Sequence, residues 1–168
     1  MSVNRYKPHI LVLPEDDANR QIANGFLLDL SLNTSAIQVL REAGGWLDVM
    51  KKFTEEQIPK MRQFPKSMIA LLIDFDDKKP DHLSYEDRLN FIKGKIPDDL
   101  KTRVFVLGSR IAPEQLKKDM NKHFEEIGEF LAKDCNENTN ETWGHHLLKH
   151  NENELKRMRS SVKPFLFS

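Results

Sequence analysis

Apolar residues fall along this chain in two rhythms. Short runs rich in apolar and β-branched residues lie at about 9–13, 36–40, 69–74 and 103–107, the second carrying Gln38 at its centre. Runs of this length without polar alternation predict strands buried on both faces. Between them, apolar positions recur at helical spacing. Ile22, Phe26 and Leu30 mark one face after the first run, and Trp46, Val49, Met50 and Phe53 another after Gly44-Gly45. Thr54-Glu55-Glu56-Gln57 has capping-box spacing and predicts a new short helix. Ser84, with Asp87 three residues on, predicts the start of a helix over 85–93 that Gly94 ends. Pro113 opens a helix whose Leu116, Met120, Phe124, Ile127 and Leu131 predict one continuous element over 113–133. A loop is predicted over 136–140. A last helical region carries Trp143, Leu147, Leu148, Leu155 and Met158, and the apolar tail 162–167 is expected to pack down.

Strands alternating with helices predict an α/β fold, a three-layer sandwich around a mainly parallel sheet of about four strands. At 168 residues one domain is expected, with its core over about 8–133 and a helical extension over about 140–168. Lys+Arg and Asp+Glu both number 26. That balance argues against a strongly basic nucleic-acid binder and leaves room for a local basic patch. No apolar run approaches the ~20 residues of a membrane helix, so no membrane partner is expected. Cys135 is the single cysteine. It allows no internal disulfide or cysteine-rich zinc site and points to a cytoplasmic setting.

Candidate chemistry gathers where strands end. The third run passes directly into Asp74-Phe75-Asp76-Asp77, and the first into Pro14-Glu15-Asp16-Asp17. Parallel sheets place their sites just beyond the carboxyl ends of their strands. If the two strands are neighbours, Glu15, Asp74 and Asp76 converge. Clustered carboxylates repel one another, and a hard cation such as Mg²⁺ or Mn²⁺ offsets that repulsion. Asp16, Asp17 and Asp77 are candidate accessory acids, although Asp16 and Asp17 equally suit the positive end of the first helix. Lys78, Lys79 and Arg110 sit at predicted strand tips where they can meet a phosphate, and equally read as solvated loop charges.

Leu11-Val12-Leu13-Pro14-Glu15 and Leu72-Ile73-Asp74-Phe75-Asp76 together resemble the TOPRIM superfamily of topoisomerases, primases and nucleases. The resemblance implies Glu15 as general acid or base and Asp74 with Asp76 as ligands of Mg²⁺. It also implies phosphodiester hydrolysis on nucleic acid. No companion domain with a catalytic Tyr is present, so a topoisomerase is not expected. The stretch Ile10-Leu11-Val12-Leu13-Pro14-Glu15-Asp16-Asp17 also resembles the start of a response-regulator receiver domain. Asp16, Asp17, Asp74 and Ser109 match the places of its phosphorylation site, but no fifth strand bearing a Lys follows. Asp74-Phe75-Asp76 looks as well like the first motif of haloacid dehalogenase-type phosphatases, though here it lies mid-chain and lacks the usual following Thr or Val. These likenesses leave a non-catalytic module that binds a partner protein, or a second copy, as the alternative to an enzyme.

Other residues read more simply. His145, His146 and His150 lack a His-Glu-x-x-His pattern and read as surface or interface groups. Lys156, Arg157 and Arg159 read as a solvated helix face, and Trp143 as core.

Overall fold

A computed structural model describes residues 2–76 and 81–167. Four parallel strands form one sheet: β1 (His9–Pro14), β2 (Ile37–Val39), β3 (Ser67–Leu72) and β4 (Val104–Leu107). Their order is β2-β1-β3-β4. β1 pairs with β3 over its whole length, Leu11 beside Ile69 and Pro14 beside Leu72. The chain leaves β1 towards β2 on one side and β3 on the other, so the strand order reverses between β1 and β3. Crevices for ligands open at that point in parallel sheets.

The apolar runs of β1, β3 and β4 are unbroken because both faces of the sheet are covered. Leu13, Ile69, Leu71, Val104 and Val106 point into one core, and Ile10, Val12, Ala70, Phe105 and Leu107 into another. Successive side chains alternate faces, as strand geometry requires. The first core is closed by α2 (Trp46–Lys52), α3 (Ile58–Gln63) and α4 (Tyr85–Gly94), through Trp46, Phe53, Met61 and Ile92. The second is closed by α1 (Asp17–Phe26), α7 (Glu152–Ser161) and α8 (Lys163–Leu166). Outside α1 lie α5 (Pro113–Met120) and α6 (Phe124–Glu137), with Leu116, Ile127 and Leu131 against Ala18 and Ile22. The molecule is a three-layer α/β sandwich.

Several expectations need correction. The predicted helix over 113–133 is two helices. Asn121 turns left-handed at φ 51°, and His123 begins α6 in a capping box with Glu126. Leu116, Phe124, Ile127 and Leu131 are buried as predicted, because the second helix returns to the same apolar layer. α6 also runs through Asn136 and Glu137, which were expected in a loop. The face carried by Ile22 and Phe26 ends with α1 at Phe26, and Leu30 is fully exposed. Thr54 caps nothing. Its hydroxyl donates back to the Met50 carbonyl at 3.0 Å, and the chain passes through a π-helical turn (Phe53–Gln57) into α3. Trp143 to Leu148 form turns rather than helix, and α7 begins only at Glu152.

The tail packs as expected: Trp143, Leu147 and Leu166 are buried and Phe167 is half-buried. The Asn33 N–H donates to the Leu166 carbonyl at 2.7 Å, and Leu32 bridges Phe167. α7 also covers the outer edge of β4. Asn151 pairs with both backbone groups of Gly108, at 3.1 and 3.0 Å. Glu154 accepts the Val106 N–H at 2.7 Å, and Arg157 donates to the Val104 carbonyl at 3.3 Å. Side chains spaced three apart thus satisfy the edge groups that a fifth strand would otherwise pair.

Candidate functional site at the sheet's carboxyl edge

Because β1 and β3 are parallel neighbours in matched register, their tips end side by side. Glu15 follows β1 directly, and its N–H donates to the Leu72 carbonyl at 3.0 Å. Its Oε2 accepts the Asp74 N–H at 2.5 Å. Asp74 Oδ1 in turn accepts the Asp76 N–H at 2.9 Å. The three acids are therefore linked in a chain across the two tips. Glu15 is 3% exposed and Asp74 6%, while Asp76 is half-buried.

Two glycines let neighbouring loops close on this edge. Gly44 stands at φ 109° and its N–H donates to the Glu15 carbonyl at 2.8 Å. An L side chain is strained in that conformation. Gly108 lies against the chain leaving β3, where a Cβ would sit 1.6 Å from the Ile73 carbonyl oxygen. With glycine there, the Phe75 N–H reaches the Ser109 carbonyl at 3.0 Å and the three tips stay together.

Arg88 supports the Asp74–Asp76 segment from within. It is fully buried. Its Nη1 donates to the carbonyls of Asp74 and Asp76, both at 3.1 Å, and its Nη2 to Asp81 Oδ1 at 2.9 Å. The guanidinium carbon lies 5.2 Å from the Trp46 ring centroid, and Trp46 Nε1 donates to Asp81 Oδ2 at 2.9 Å. Asp81 is held below the usual carboxylate range by the Leu83 N–H, with Trp46 and Arg88 adding to the effect. One planar cation thus fixes two backbone carbonyls and one acid by its fork geometry. Sequence reading missed Arg88. Its signal was position: with Tyr85, Leu89 and Ile92 it lies on the apolar stripe of α4, where a cation has to be paired.

The remaining candidates divide. Asp16 is the N-cap of α1, its Oδ1 accepting from the Asn19 backbone and side chain, both at 2.9 Å. Asp17 is exposed and bonded to Gln21 and Arg20, which lower its pKa. The described hydrogen bonds of both acids stay within α1. Ser109 stands at the β4 tip and its hydroxyl donates to the Ile111 carbonyl. Arg110 is exposed beside it, stacked 4.1 Å above the Tyr85 ring centroid. Tyr85 packs on Phe75 and on His150, with centroids at 4.9 and 5.3 Å. Burial lowers the His150 pKa to about 4, with the Arg110 charge acting in the same direction. Burial raises that of Tyr85. Asp77, Lys78 and Lys79 lie outside the described residues.

The acidic edge is separate from the apolar cavity of about 280 Å³ between α1, α6, α7 and the second face of the sheet. Ile10, Val12, Ala70 and Leu107 line that cavity, and none of Glu15, Asp74 or Asp76 does. Among the described residues no helix is long and apolar enough to cross a membrane. Comparison with family models, curated proteins and solved structures finds no match for this chain.

Proposed function

We propose that this chain is a TOPRIM-like domain that hydrolyses phosphodiester bonds in nucleic acid with the help of one divalent cation. The observation that carries the reading is the junction of Glu15 and Asp74 across adjacent parallel tips, where the strand order reverses. Hard cations take oxygen ligands, and three carboxylates on one edge supply the right donor set. Asp74 and Asp76 hold Mg²⁺ or Mn²⁺ in this reading, and the bound cation supplies Lewis-acid polarisation of a phosphoryl oxygen. Glu15 takes or gives a proton beside them. Arg88 keeps the Asp74–Asp76 backbone in place, and Arg110 at the neighbouring tip binds a substrate phosphate.

A second reading has its own support. Glu15 and Asp74 are deeply buried and each accepts a backbone N–H. Those bonds also suit carboxylates that clamp the loops of a non-catalytic module for binding a partner protein.

Metal-dependent melting separates the two. A ligand that binds only the folded state stabilises it by RT ln(1 + [L]/Kd), about 1.4 kcal/mol at tenfold over Kd. For a chain of this size that is roughly 3–6 °C. Wild type is expected to show this rise with Mg²⁺ or Mn²⁺ at constant ionic strength, and Asp76→Asn to lose most of it. Glu129→Gln, on the exposed side of α6, is the control. Cleavage of single- and double-stranded nucleic acid is assayed alongside. Identical melts of wild type and Asp76→Asn across millimolar metal would remove the enzyme reading and leave the clamp.

A further inference from the structure

A second group of ligating side chains lies on α5 and the loop after α6, and includes none of the acids of the sheet edge. Asp119, His145 and His146 each offer one donor atom, and the three atoms lie within 4.8 Å of one another. His146 and His150 stand four apart in the sequence, a spacing that would put them on one face of a helix. The structure instead turns His150 onto Phe75 and Tyr85, and stacks His145 on His146 with centroids 4.4 Å apart. From this geometry we infer that Asp119, His145 and His146 form a three-ligand site for a transition-metal ion of the Zn²⁺ class.

The donor set chooses the metal. Two imidazoles and one carboxylate suit Zn²⁺, Co²⁺, Ni²⁺ or Cu²⁺, whereas Mg²⁺ and Ca²⁺ prefer oxygen alone. Three protein ligands leave a fourth tetrahedral position for water. The carrier loop is already ordered. Trp143, Leu147 and Leu148 are buried on either side of the two histidines. The His145 N–H donates to the Thr142 carbonyl at 3.1 Å, and the His145 carbonyl accepts from Leu148 and Lys149 at 2.8 and 2.9 Å. On α5, Gln115 holds Asp119 Oδ1 at 2.6 Å, which leaves Oδ2 directed towards His145 Nε2 at 3.3 Å.

Metal-free contacts set the strength of binding. His145 Nδ1 accepts the Leu147 N–H at 3.1 Å, so the neutral ring carries its proton on Nε2, facing Asp119. An ion at Nε2 moves that proton to Nδ1, and the Leu147 hydrogen bond is lost. Asp119 and His146 are exposed and must close onto an ion that holds its ligands at about 2.0–2.2 Å. Both costs weaken binding relative to a preformed site. An ion there would tie α5 to the loop whose Leu147 carbonyl accepts the Arg110 N–H at 3.0 Å, next to the β4 tip.

The test uses the full chain without an affinity tag, freed of metal by chelation. Calorimetric titration with Zn²⁺ should give one ion per chain, and Co²⁺ should give the intense visible bands of a tetrahedral complex. His146→Ala and Asp119→Asn, both at exposed positions, should keep the wild-type circular dichroism and weaken Zn²⁺ at least tenfold. Asp76→Asn should leave Zn²⁺ binding unchanged, which separates this site from the carboxylate edge. The inference is overturned if wild type takes up no Zn²⁺, if His146→Ala binds as tightly as wild type, or if Asp76→Asn is the variant that loses the ion.

Discussion

Replacing Arg88 by Met tests whether a buried cation holds the acidic edge in shape. Met keeps much of the length and the contact with Trp46 but cannot donate. Three bonds disappear: those to the Asp74 and Asp76 carbonyls and to Asp81. A hydrogen bond from a charged group contributes about 1.5–3 kcal/mol, which puts the upper limit near 9 kcal/mol. Two terms reduce it. The Asp81 side chain is 31% exposed, so water screens that arm. Removing a buried charge also removes its desolvation cost, so breaking a buried pair typically costs about 3–5 kcal/mol. That range is the expected loss for Arg88→Met, and about 6–20 °C in melting temperature at 2–4 °C per kcal/mol. Urea unfolding followed by fluorescence measures it, with an unchanged m-value showing that the unfolded state is the same. Arg88→Lys keeps the charge without the fork and should fall between the two. A loss of less than about 1 kcal/mol in Arg88→Met would refute the claim that the guanidinium organises these tips.

Three further outcomes follow from the described contacts. Deleting residues 160–168 removes buried Val162 and Leu166 and the Leu166 carbonyl that accepts from Asn33, so the melting temperature should fall by more than 5 °C; an unchanged melt would show that the tail contributes no packing. Asp134→Asn weakens a buried carboxylate that accepts from Thr139 and from the N–H groups of Glu141, Thr142 and Trp143, and should cost about 2–4 kcal/mol in denaturant unfolding. His150 has a folded pKa of about 4 against 6.5 when exposed, so the unfolded chain binds its proton first; the contribution is whole above pH 6.5 and is lost as pH falls towards 4, about 1–2 kcal/mol after discounting for partial exposure. His150→Phe should flatten that part of the stability–pH curve, and an identical slope in the variant would assign it to other groups.

The pattern of apolar runs by itself determined the four strands and the class of fold. An unbroken run such as 68–73 has to be covered on both faces, and only helices on each side of a parallel sheet do that. It also marked Glu15, Asp74 and Asp76 as strand-tip acids and Ser84 as a cap, because these features depend on neighbours within a few residues. Tertiary structure decided the rest. That β1 lies beside β3, which alone joins Glu15 to Asp74, comes from strand order, and strand order is not encoded in local spacing. The break at Asn121 was hidden because α5 and α6 bury the same apolar series one helix would. Arg88 reaches the edge from α4, Asn151, Glu154 and Arg157 stand in for a fifth strand from α7, and Asp119 meets His145 from a separate helix. Each of these contacts joins residues distant in sequence, and only the closed fold brings their atoms within bonding distance.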